Sequence, residues 1–225
     1  MKTKLISLLL FALVSRATFA VTISVPGTAH LWLAGMPDGS TASFGDSAPG
    51  QSPVLVVGIP VFGGAAFRFS ASGSVSRGDP LPFYGPDGES EVNNHWSGDE
   101  NGIANLNAPL ESLIGVFLGP GQPNLNPPPA ALDFTTPASR DYLTLSPALQ
   151  QPFFIGDGLT SLAAAQQVIA PDGATRLYLG TMDEYEWSNN LGSFTVNVVP
   201  EPGSALLGLA GLVMLWLRRA SRNNG

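Results

Sequence analysis

The residues best equipped for chemistry lie in one short stretch, Thr181-Met182-Asp183-Glu184-Tyr185-Glu186-Trp187-Ser188-Asn189-Asn190-Leu191-Gly192. It gathers Asp183, Asn189 and Asn190, with Glu184 and Glu186 beside them, into one expected hairpin loop. Calcium takes roughly six to eight hard oxygens from carboxylates, Asn side chains and backbone carbonyls. One Asp, two adjacent Asn and a carbonyl-rich loop supply a set of that kind. Gly192 frees the backbone to turn into the strand that follows. The same residues also suit a plain turn, in which Asn189-Asn190 tolerates a left-handed backbone and the acids face water.

Other constellations are weaker. Arg77-Gly78-Asp79 spells an integrin-type tripeptide, but three residues arise by chance. Asp99-Glu100-Asn101-Gly102 with Glu111 fails the calcium-loop spacing, which needs Gly sixth and the closing Glu twelfth. No Gly-x-Ser-x-Gly elbow, phosphate loop or zinc-type His pair is written in the chain, whose two histidines are His30 and His95. Carboxylate pairs are plentiful and none is marked as a general acid. These features favour a binding or structural protein over an enzyme, with a polysaccharide hydrolase as the remaining catalytic alternative.

The elements that must position the loop are short. Residues 22–25 alternate apolar and polar before Pro26-Gly27, and residues 29–33 form a second apolar run. Residues 53–61, centred on Val54-Leu55-Val56-Val57, predict a strand buried on both faces. Residues 66–71 and 73–76 alternate; residues 77–110 read as a long loop; residues 113–118 predict a buried strand. Residues 120–129 are proline-rich and suit an ordered loop or polyproline stretch. Residues 142–145, 152–158 and 162–169 are short apolar runs ending in turn chemistry, and the last is assigned as strand against its Ala163-Ala164-Ala165 start. Residues 175–180 and 192–198 predict two further strands. About eight short strands with no long amphipathic helix predict an all-β fold, an antiparallel β-sandwich or jelly roll.

Composition sets the chemistry of the surface. The chain of 225 residues has a formal charge of −7 and no cysteine. Both lysines and Arg16, Arg218, Arg219 and Arg222 lie near the ends, so residues 21–199 keep four arginines against sixteen acids, a net of about −12. Such a surface repels nucleic acid, whose affinity comes mainly from Lys and Arg on phosphates. Without cysteine, disulfides and thiolate metal sites are excluded. The domain must hold together by burial.

Residues 176–197 resemble the C-terminal segment of the small calcium-dependent galactose-binding lectins of bacteria. The likeness rests on Asp183, a short loop, Asn189-Asn190 and then Gly192-Ser193-Phe194 leading into an alternating strand. It extends in patches upstream, through Ala71-Ser72-Gly73, Gly78, Tyr84-Gly85-Pro86-Asp87-Gly88 and residues 113–119. The resemblance implies a galactose-binding-like β-sandwich. It also implies calcium held by Asp183, Asn189, Asn190, a carbonyl near Glu186 and a carbonyl near Arg77 from the far loop. In those lectins sugar hydroxyls complete the calcium shell, and a His and a Gln of one loop orient the sugar. This chain lacks that His-Pro-x-Gln motif, and its Asp183-to-Asn189 loop is one residue shorter. His95-Trp96 is the nearest substitute, an aromatic beside a polar group that suits a sugar face together with Asp183 and Asn189; His95 also reads as an ordinary loop residue.

The ends read as addresses. Lys2 and Lys4, an apolar stretch over residues 5–14 and Ala17-Thr18-Phe19-Ala20 predict a signal peptide and signal helix over residues 1–20, cut after Ala20. Residues 200–225 contain Pro200-Glu201-Pro202, an uncharged apolar run over residues 204–217 and the basic Arg218-Arg219. As a transmembrane helix that run reaches roughly 21 Å. The order of motif, apolar run and arginines resembles the PEP-CTERM sorting tail, which implies recognition by an exosortase and membrane attachment until the protein is cut. The sequence thus predicts a cell-surface or matrix protein that binds extracellular polysaccharide or another glycan with Ca2+. A purely structural envelope or biofilm protein is the alternative.

Overall fold

Alternation builds the longest pairing in the molecule. Phe194, Val196 and Val198 are buried while Thr195 between them is exposed. The computed structural model describes residues 20–201 apart from residue 79. The residues before and after, including the signal stretch to residue 19, Pro202, the apolar run, Arg218 and Arg219, lie outside the described residues. No helix among the described residues is long and apolar enough to cross a membrane.

The strands are β1 (Val21–Pro26), β2 (Val54–Leu55), β3 (Ala66–Ser76), β4 (Val92–Asn94), β5 (Leu106–Pro109), β6 (Leu113–Leu118), β7 (Leu132–Asp133), β8 (Thr144–Leu145), β9 (Phe153–Phe154), β10 (Gln167–Ile169), β11 (Arg176–Thr181) and β12 (Leu191–Pro200). One helical turn, α1 (Pro137–Arg140), is capped by the Thr136 side chain. Three sheets form, in the orders β1-β12-β3-β10-β8, β2-β11-β6-β9 and β4-β5-β7. The architecture is the expected all-β sandwich, antiparallel except where β8 pairs with β10 and β5 with β7.

The two larger sheets share one apolar core. Phe67 of β3 and Phe117 of β6 meet across it with ring centroids 5.8 Å apart. Every residue of β6 is buried, as its unbroken apolar run predicts, because β11 and β9 flank it.

Several expectations change. The apolar stretch 53–61 gives only the two-residue β2, and Val57 is 62% exposed. Pro53 and Pro60 carry no N–H for a ladder, and Gly58 lies at φ 87°. The apolar run 29–33, to which the sequence assigns no element, holds a buried 3-10 turn at Leu31–Leu33. The expected long loop 77–110 contains β4 and β5. The final strand runs past residue 198 to Pro200, and Glu201 continues it, with its N–H donating to the Ala66 carbonyl and its carboxylate 3.3 Å from Arg68.

Candidate functional site

Two registers converge on the Asp183 loop. On β12 and β3, Leu191 pairs with Ser76. Just past the end of that ladder, a Cβ on Gly78 would lie 3.9 Å from the Asn189 amide nitrogen. On β11 and β6, Thr181 pairs with Leu113, and the Glu111 N–H donates to the Met182 carbonyl at 2.7 Å. The loop between β11 and β12 is therefore bracketed by the turns that follow β3 and β5. Gly192 allows the exit: its φ is +80°, and a Cβ there would collide with the Ser74 carbonyl.

The loop is pinned from outside. Asp46, fully buried, accepts the Trp187 N–H at 2.8 Å and the Ser188 N–H at 3.1 Å. Trp187 is itself buried, and its indole N–H donates to the Thr181 carbonyl at 2.9 Å. The Asn190 amide donates to the Gly27 carbonyl at 3.1 Å.

The structure places Asp183, Asn189, Asn190 and Arg77 near one another and adds Glu111. Asp183 and Asn190 are buried, and Asn189 is exposed. Asp183 Oδ2, Asn190 Oδ1 and Glu111 Oε2 are buried oxygens with no hydrogen-bond partner among the described residues. Glu111 is 2% exposed, sits at a left-handed φ of 63° and accepts the Arg77 N–H through its other oxygen at 2.5 Å. Burial pushes the Glu111 carboxyl up to about 7. Burial likewise pushes Asp183 up to about 6, although the Asn190 side chain beside it works the other way. Buried acceptors without donors are costly, and a hard cation relieves them. The donor set fits calcium in kind: two carboxylates, an Asn side chain and loop carbonyls.

Arg77 contributes backbone here and charge beside it. Its guanidinium lies 2.8 Å from Glu89, 3.4 Å from Glu91 and 3.6 Å from Glu184. Glu184 also accepts from the Asn93 amide at 2.7 Å. Glu186 turns its carboxylate to the Ser188 hydroxyl at 3.0 Å and is half-buried.

Trp96 and His95 part company. Trp96 is 57% exposed and stacks on Tyr185 of the loop with centroids 4.8 Å apart, and Phe44, 56% exposed, meets the Tyr185 ring edge at 5.3 Å. This is an open aromatic surface. His95 does not share it: it is fully buried, stacked on Trp32 at 4.2 Å, so a sugar-facing place does not fit its burial. Its backbone neighbour reaches the surface because the Trp96 N–H donates to the Glu184 carbonyl at 2.8 Å while the His95 ring turns inward. Two hollows at the surface, one around Gly119 and Gln150 and one around Arg140 and Asp157, include none of the loop residues.

Sequence reasoning missed Asp46 and Glu111. Glu111 was visible only as a badly spaced end to a contiguous calcium loop, and nothing local marked Asp46.

No family model matches the chain. No curated protein matches it either. Among solved structures, the chain is similar to the N-terminal domain of EclA, described as a PllA-like lectin, with 13% identity and a TM-score of 0.40 over 80% of this chain and 95% of that one.

Proposed function

We propose that the chain is an exported, non-enzymatic carbohydrate-binding protein that holds its ligand through calcium at the Asp183 loop. The observation that carries this reading is the trio of buried, donor-free oxygens on Asp183, Asn190 and Glu111. Asp183, Asn189, Asn190 and Glu111, with carbonyls near Arg77 and Glu186, would hold the ion. Bound calcium would supply open positions for sugar hydroxyls. Trp96 and Tyr185 would offer an aromatic face to the apolar side of a pyranose ring. The expected signal peptide and Pro200-Glu201-Pro202 tail support delivery through an exosortase to the cell surface or an extracellular polysaccharide layer.

Thermal melts of the full-length chain with calcium and with chelator test the ion. Calcium raises the midpoint, and Asp183→Ala removes the increment; an unchanged wild-type midpoint sinks the site. A glycan array run with calcium tests the ligand. Silence across the array overturns carbohydrate binding and leaves a structural matrix protein.

A further inference from the structure

Four aromatic rings from three loops pack together beneath the Trp96 surface. His30 lies on Trp187, with centroids 3.7 Å apart and planes 8° from parallel, and His95 lies on Trp32. The two imidazoles meet edge to face at 5.5 Å. Glu100 closes the group: one nitrogen of each histidine and one Glu100 carboxylate oxygen all lie within 4.8 Å of one another. Both histidines are fully buried, and the Glu100 side chain is 16% exposed.

His95 and Glu100 are held by their far sides, and His30 lies beside Asp46 without a hydrogen bond to it. His30 Nδ1 lies 3.2 Å from Asp46 Oδ2. His95 Nδ1 lies 3.2 Å from the Glu184 carbonyl. Glu100 Oε1 accepts from the Ser43 N–H at 2.7 Å and from the Ser43 hydroxyl at 2.6 Å. On their other sides His95 Nε2 and Glu100 Oε2 turn toward each other, and one His30 ring nitrogen completes the group. His95 Nε2 and Glu100 Oε2 are 2.7 Å apart, and both ring nitrogens of His30 are buried with no hydrogen-bond partner among the described residues.

The proton count makes this arrangement unusual. If His95 Nδ1 donates to a carbonyl, its Nε2 lone pair points at a carboxylate oxygen unless a second proton sits between them. His30 is less satisfied still: Nδ1 lies near Asp46 without a hydrogen bond, and Nε2 has no partner either. A cation at the centre satisfies all three atoms. Outer partners of this kind, a carboxylate or carbonyl on the Nδ1 of a ligating histidine, are what fix tautomer and ring orientation in metal sites.

We propose that His30, His95 and Glu100 form a second metal site, selective for a zinc-class transition cation and separate from the oxygen-lined Asp183 loop. Two imidazoles and one carboxylate suit zinc and leave one position for water. Bonds of about 2.0–2.2 Å would have to open the 2.7 Å His95–Glu100 contact slightly and draw His30 inward. The site ties together three loops: residue 30 after β1, residues 95–100 after β4, and Trp187, stacked on His30, in the β11–β12 loop.

The test uses cobalt as a spectroscopic stand-in for zinc. The untagged full-length chain is refolded without metal and with one equivalent of Co2+. With only two histidines in the chain, no other His pair can mimic the signal. The expected result is the visible d–d absorption of a four-coordinate ion, removed by Zn2+ and not by Ca2+. Glu100→Gln keeps the size of a partly exposed side chain and lowers Co2+ affinity at least about tenfold, the lower end of what altering even an outer partner costs a metal site. His95→Gln abolishes the band, and near-ultraviolet circular dichroism reports whether that variant still folds. Asp183→Ala keeps the band, which separates this site from the calcium loop. A folded wild-type chain without the band overturns the proposal. So does a band that survives Glu100→Gln at full affinity or disappears in a folded Asp183→Ala protein.

Discussion

His30 and Trp187 lie face to face, 3.7 Å between centroids, and so join the turn after β1 to the middle of the Asp183 loop. Their contact is fixed from both sides by Asp46, which approaches His30 Nδ1 and accepts the Trp187 N–H. Removing the indole leaves a large void under the loop. Trp187→Ala should cost about 3–5 kcal/mol, as large core truncations do. Urea unfolding measures this, and a loss under about 1 kcal/mol would mean that the loop is held by its backbone contacts instead.

The pH dependence comes from Asp183 and Glu111. Burial places them at about 6 and about 7, above their ordinary 3.8 and 4.5. Each keeps its proton in the folded state at pH values where the unfolded chain has lost it. Without calcium, their stabilising contribution is therefore complete below about pH 4 and is lost as pH rises through about 6 to 7. Calcium needs the ionised carboxylates, so its midpoint increment should grow across the same window. Melts at about pH 5 and about pH 7.5, with calcium and with chelator, read both slopes. An increment that does not change with pH would place the ion elsewhere.

Much of this frame was legible. The unbroken run of β6 and the alternation of β12 declared their burial, and Asp183 with Asn189-Asn190 marked the loop. What stayed hidden depends on partners remote in sequence. His95 looked like a surface residue beside an exposed Trp, yet Glu100 and the Glu184 carbonyl draw its ring inward. Glu111 reaches the loop only because its N–H bonds to Met182 across two strands. The apolar stretch around Val57 misled in the other direction: hydrophobicity signals burial, and the prolines and Gly58 deny it a ladder.

Trp96 separates ligand binding from folding. It is 57% exposed, and its partners Tyr185 and Phe44 remain in contact without it. Trp96→Ala should change stability by no more than about 0.5 kcal/mol. Its affinity for a saccharide identified on the array should fall about tenfold, the worth of one aromatic contact. Isothermal titration with that saccharide checks it, and undiminished affinity would remove the aromatic surface from the ligand site.

Arg77 has two roles that one substitution divides. Its guanidinium neutralises Glu89, Glu91 and Glu184, while its backbone faces the loop. Arg77→Met keeps the stem and the carbonyl and removes the charge. The three acids then repel one another, and the metal-free protein should lose about 1–3 kcal/mol. A positive charge has also left the neighbourhood of a proposed cation, so calcium should bind severalfold more tightly. Calcium titration of the wild type and the variant decides it. Weaker binding in Arg77→Met would show that the side chain orders the loop more than its charge opposes the ion. Equal binding would place calcium beyond reach of this residue, and with it the carbonyl assigned from the far turn.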